Sequence, residues 1–94
     1  MAQRESKLSR NIINAIMARG GFAFKVHGGP WMMAGLPDII ACVEGKFYGL
    51  ETKMPDGGKA SPVQELVHQK IRNAEGVAVV VRSVSEALEV CGLS

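Results

Sequence analysis

The chain has few of the features that would settle its class at once. It has no run of apolar residues near the ~20 needed to span a bilayer, and the charged start Met-Ala-Gln-Arg-Glu-Ser-Lys has no apolar stretch behind it. Neither a membrane span nor a secretory leader is therefore expected. Cysteine is scarce: Cys42 and Cys91 stand far apart in apolar surroundings, which excludes a disulfide framework or a zinc cluster. Both are expected to be reduced core residues of a cytoplasmic protein. Aromatics make up 5% of the chain, and the excess of one charge sign is only +2. There is no internal repeat, low-complexity tract or Gly-rich phosphate loop.

With these absent, 94 residues that are 47% hydrophobic and 21% charged describe one small soluble domain with a single core, spanning residues 1–94. The small net charge conceals a possible imbalance. If a metal sequestered three acids, eleven Lys and Arg would face the six that remain, a modest match for nucleic acid.

The most informative stretch runs from Pro37 to Lys53. Pro-Asp-Ile-Ile-Ala-Cys-Val and Lys-Phe-Tyr-Gly-Leu-Glu-Thr-Lys flank Glu44-Gly45, the pattern of a β-hairpin. A two- or four-residue loop centred there sets Asp38 opposite Glu51; a three-residue bulged loop would shift the register by one. Opposed like charges are destabilising, and strand alternation puts Lys53 on the Glu51 face. An ion pair with Lys53 accounts for one acid and leaves the other in repulsion. A divalent cation accounts for both, since Mg²⁺ binds through one or two carboxylates plus substrate phosphate.

Around this hairpin the expected order is helix, three strands, helix, strand, helix: an α/β fold with a small mixed sheet. Gln3 to Arg19 has Leu8, Ile12, Ile13, Ala15 and Ile16 at helical spacing. Glu5 falls on that stripe, where it is either a buried carboxylate needing a partner or a first-turn acid favoured by the helix dipole. Phe22, Phe24 and Val26 alternate with Ala23 and Lys25, so the phenylalanine side is expected to face inward. His27 is a loop residue rather than a ligand. Trp31, Met32 and Met33 line a groove, a dimer contact or the core beneath a loop. Lys59 lies in a turn-rich loop, where it either touches phosphate or aids solubility.

Ser61-Pro62-Val63-Gln64 opens the second helix as a capping box. Its expected buried stripe is Val63, Leu66, Val67, Ile71 and Ala74. Gln64, His68 and Arg72 form a polar row that either faces nucleic acid or borders a solvated face. Val77 to Val81 is a continuous β-branched run, expected to be a strand covered on both faces and parallel to an earlier one. Ser83-Val84-Ser85-Glu86 opens the last helix as a second capping box, running to about Cys91.

Gly35-Leu36-Pro37-Asp38, Glu51-Thr52-Lys53 and Ser61-Pro62-Val63-Gln64, in that order, resemble the PD-(D/E)XK nucleases, and within them the VRR-NUC family of virus-type replication-repair nucleases. The resemblance runs from Glu5 to the strand around Val80. It implies a restriction-endonuclease-like fold and a metal-dependent DNA endonuclease using Mg²⁺ or Mn²⁺. Asp38, Glu51 and the backbone carbonyl of Thr52 would be metal ligands. Glu5 matches the acid that many members carry on the first helix, Lys53 is the catalytic lysine, and Gln64 matches the glutamine associated with the site. Where some members have an aromatic residue after that glutamine, this chain has His68. Stand-alone members of minimal length resemble dimeric Holliday-junction resolvases, which implies a homodimer acting on branched DNA. A DNA-binding or assembly module that keeps the fold without catalysis is the alternative, and a nuclease acting on RNA or on duplex ends is a third.

Overall fold

Glu44 and Gly45 both adopt positive φ, 51° and 80°, as a two-residue type I′ hairpin turn requires. The computed structural model describes residues 2–94. The turn locks β2 (Ile39–Val43) and β3 (Lys46–Thr52) into antiparallel register, from Val43 opposite Lys46 to Ile39 opposite Leu50. One step further along that register, Asp38 lies opposite Glu51, as expected. β1 (Phe22–Lys25) pairs antiparallel with β2, and β4 (Val77–Val81) runs parallel to β3. The sheet order is β1-β2-β3-β4.

The helices are α1 (Ala2–Ala18), α2 (Pro62–Asn73) and α3 (Val84–Val90). The expected element order therefore holds: a mixed four-stranded sheet with helices on its faces. The core forms between the sheet and the α1/α3 layer. It gathers Ile12 and Ile16, the inward residues Ile39, Ala41, Val43, Tyr48, Leu50 and Val81, and Ala87, Leu88 and Cys91. α2 packs on the opposite face, against β4. Among the described residues no helix is long and apolar enough to cross a membrane.

Four expectations need correction. First, β1 is turned over. Ala23 is buried, Lys25 is half-buried, and Phe22 and Phe24 are 61% and 46% exposed. α1 packs directly on β1 and leaves room for a methyl group there. A Cβ on the neighbouring Gly21 would already lie 2.7 Å from the Ile16 side chain.

Second, α2 is rolled about its axis. Val67 and His68 are buried with Gln64 and Ile71 half-buried, while Val63, Leu66 and Ala74 are exposed. The row Gln64-His68-Arg72 therefore faces the sheet, with Arg72 donating from Nε and Nη2 to the Ala78 carbonyl at 3.0 and 2.8 Å. Third, Cys42 is exposed; only Cys91 is buried. Fourth, the α3 capping box is half formed. Ser83 caps the Glu86 amide, but Glu86 accepts from the Arg82 amide rather than from that of Ser83.

Candidate active site

The hairpin register brings the two acids together at one end of the sheet, and each is held by a different neighbour. Asp38 Oδ2 accepts from the Thr52 backbone N–H at 3.0 Å and from its hydroxyl at 2.7 Å. Behind Thr52 the network continues to the buried Ser9 of α1, 3.1 Å away, and Lys25 Nζ donates to Ser9 Oγ at 3.3 Å. The inverted β1 is thus what delivers Lys25 to this network. Ser9, Lys25 and the Thr52 hydroxyl were not legible as site residues. The available signal was that Ser9 falls four residues after Glu5 and three before Ile12, on the buried stripe of α1.

Glu51 lies on the α2 side of the sheet and is 2% exposed. Its Oε2 accepts from Gln64 Nε2 at 2.9 Å and faces Lys53 Nζ at 3.9 Å. Gln64 serves both purposes its position suggested. Its Oε1 accepts from the Ser61 N–H at 2.8 Å while Ser61 Oγ accepts from the Gln64 N–H, the full capping box. With the carbonyl end fixed by the cap, the amide nitrogen is left to donate to Glu51. This double duty sets the roll of α2.

Glu51 Oε1 is buried with no hydrogen-bond partner, which is costly for a carboxylate oxygen. Burial first, and then the Asp38 carboxylate beside it, push the Glu51 carboxyl up to about 7, against the opposing effects of Lys53 and Gln64. An orphaned buried oxygen, a second carboxylate and no soft ligand fit a hard divalent cation such as Mg²⁺. No cluster of three or more His, Cys, Asp or Glu forms among the described residues. Asp38, Glu51, Thr52, Lys53 and Gln64 are brought together; Glu5, half-buried on α1, makes no three-acid cluster with them. His68, one turn beyond Gln64, is fully buried with neither ring nitrogen partnered, and burial lowers its pKa.

Two glycines fit the loop to the site. Gly35 has φ +87°, and a Cβ on it would lie 2.5 Å from the Val63 carbonyl oxygen, so the loop before Asp38 is pressed against the start of α2. Gly49 of β3 lies beneath Pro37: a Cβ there would meet Pro37 Cγ at 2.7 Å and Ile71 Cδ1 at 3.2 Å. Gly49→Ala should destabilise the domain by about 1–3 kcal/mol through overpacking. Thermal melting checks this, and an unchanged midpoint would show that Pro37 yields freely.

No family model and no curated sequence matches the chain. Solved structures do. A structure described as a VRR_NUC domain superposes with a TM-score of 0.75 at 22% identity, covering 92% of this chain and 91% of that one. A VRR_NUC domain protein gives 0.72 at 16% identity, covering 92% and 83%. Hjc, a Holliday junction resolvase from the archaeal hyperthermophile Archaeoglobus fulgidus, gives 0.65 at 21% identity, covering 83% and 67%. The chain therefore has the fold shared by VRR_NUC domains and this archaeal resolvase, as its motifs led us to expect.

Proposed function

We propose that this protein is a metal-dependent DNA endonuclease of the VRR-NUC type, hydrolysing phosphodiester bonds with a preference for branched DNA. The observation that carries this reading is the buried, unpartnered Glu51 Oε1 beside Asp38, within reach of Lys53 and Gln64. Asp38, Glu51 and the Thr52 carbonyl would hold Mg²⁺ or Mn²⁺, with Glu5 reaching it through a bound water. Such an ion supplies Lewis-acid polarisation of the scissile phosphate.

The chain's own residues do the rest. Thr52 fixes the Asp38 carboxylate through two hydrogen bonds to one oxygen, leaving Oδ1 for a ligand. Gln64 holds one Glu51 oxygen so that the other is presented. Lys53 orients the attacking water or neutralises charge developing on the phosphate oxygens.

The test is incubation with plain duplex, flap, four-way-junction and single-stranded substrates, in Mg²⁺, Mn²⁺ or EDTA. Cleavage with either metal and none in EDTA is expected. DNA binding without cleavage under any condition would instead favour a non-catalytic module.

We further propose a homodimer, because two-fold symmetry matches two equivalent cuts and C₂ dimers are the commonest soluble oligomers. α2 covers only part of its face of the sheet, leaving Phe22, Phe24 and Phe47 exposed at 44–61%. These residues form an apolar surface suited to self-association. Light scattering at micromolar concentration should give twice the chain mass, with faster cleavage of junction than of duplex. A monomer with equal rates on both would refute the pairing and the preference together.

A further inference from the structure

Residues 27–37 join two strands that pair directly; the Val26 N–H donates to the Asp38 carbonyl at 2.7 Å. Hairpin loops are usually 2–5 residues, so this connection is long for the pairing it closes. It borders a cleft of about 260 Å³ whose lining includes Gly28, Gly29, Met32, Met33 and Asp38. The Met32 N–H donates to the Gly29 carbonyl at 3.1 Å. This turn carries Pro30 and Trp31 at its two central positions. Trp31 is 95% exposed and is the only tryptophan in the chain. Among the described residues the ring joins neither the core nor the wall of this cleft, yet it stands on a loop whose base is a carboxylate of the candidate site.

We propose that Trp31 is a substrate-binding residue that stacks on a nucleobase left without a stacked neighbour at the branch point of DNA engaged at the Asp38–Glu51–Lys53 site. This rests on the nuclease reading above and adds a basis for choosing branched DNA over duplex. Only a base without a stacked neighbour offers its face to an indole, so duplex passes the loop without engaging it. Aromatic stacking is tolerant of sequence, which agrees with a chain in which no motif reads base edges. The turn follows Gly28 on one side, and on the other Met32 and Met33 run from it into the wall of the cleft.

The single tryptophan makes the test direct. Wild type, Trp31→Ala and Trp31→Phe are titrated in EDTA with a four-way junction carrying 2-aminopurine at the branch point, with single-stranded DNA, and with matched duplex. Indole emission should be quenched by the junction and not by the duplex. Trp31→Ala should lose junction affinity by roughly 5- to 150-fold, the range for one base stacked on an aromatic side chain. Its duplex affinity should be unchanged, and Trp31→Phe should keep most of the junction affinity.

Emission unchanged at saturating junction, or equal junction affinity in Trp31→Ala, overturns the proposal. So does conversion of Trp31→Ala to a monomer in light scattering, which would make Trp31 a subunit contact. Junction cleavage in Mg²⁺, run in parallel, separates the two claims. Quenching without cleavage removes the nuclease reading and leaves Trp31 on the base; cleavage without quenching does the reverse.

Discussion

Lys53→Ala and Glu51→Ala should each abolish metal-dependent DNA cleavage while leaving the far-UV circular dichroism spectrum unchanged. The loss expected for the lysine is at least about 10²- to 10³-fold, comparable to removing one preorganised group that stabilises developing charge. Its ammonium lies 3.9 Å from Glu51 Oε2 and its side chain is 21% exposed, so it works beside carboxylates in a partly desolvated site. Loss of Glu51 removes the oxygen with no protein partner and the group that Gln64 holds in place. Neither side chain is part of the apolar core, so the fold should survive both substitutions. Binding of a junction in EDTA, followed by anisotropy, should persist in Lys53→Ala to within a few fold. Substantial cleavage by either purified variant would refute the assignment of the site.

The acids and the lysine were legible because they depend on local geometry. The Glu44-Gly45 turn fixes the hairpin register, and register fixes which residues oppose one another. The Ser61-Gln64 cap was legible for the same reason, being complete within four residues. What the sequence hid depends on long-range packing. Apolar size favoured Phe22 and Phe24 as the inward side of β1, but the separation between α1 and the sheet selects Ala23, and the buried Ser9 hydroxyl selects Lys25. The apolar stripe on α2 favoured Val63 and Leu66, but Gln64 must reach Glu51 beneath the helix, and that turns His68 inward and those two outward. The Ser9–Thr52 hydrogen bond joins residues 43 apart in sequence; no spacing rule predicts such a partner. In each case a polar contact at the site overrode the hydrophobic pattern of an element.

In EDTA, Glu51→Gln should be more stable than wild type above neutral pH, and it should lose most of the stabilisation that Mg²⁺ or Mn²⁺ gives. The Glu51 carboxyl is raised from 4.5 to about 7 in the folded protein, chiefly by burial and then by Asp38. A raised carboxyl favours the protonated form in the native state, so its contribution is fully present below about pH 4.5 and is lost as pH rises through about 7. The ceiling on that loss is about 3 kcal/mol, at roughly 1.4 kcal/mol for each tenfold change in proton affinity. Glutamine keeps a carbonyl oxygen for Gln64 and offers Asp38 an N–H in place of the proton that the acid must hold. The variant should therefore show a flatter stability curve between pH 5 and 8. A ligand that binds only the native state adds roughly 2.7 kcal/mol at a hundredfold excess over Kd, on the order of 10 °C or more in melting midpoint for a domain of this size. Because metal binding requires the carboxylate, the wild-type rise should be larger at pH 8 than at pH 6. The competing account, in which Glu51 serves only as the ion-pair partner of Lys53, predicts the opposite signs: Glu51→Gln destabilised in EDTA, and little metal response in wild type. Melting both proteins at pH 6 and pH 8, with and without metal, decides the matter. Destabilisation of the variant in EDTA together with an unchanged metal shift would show that Glu51 is not a ligand.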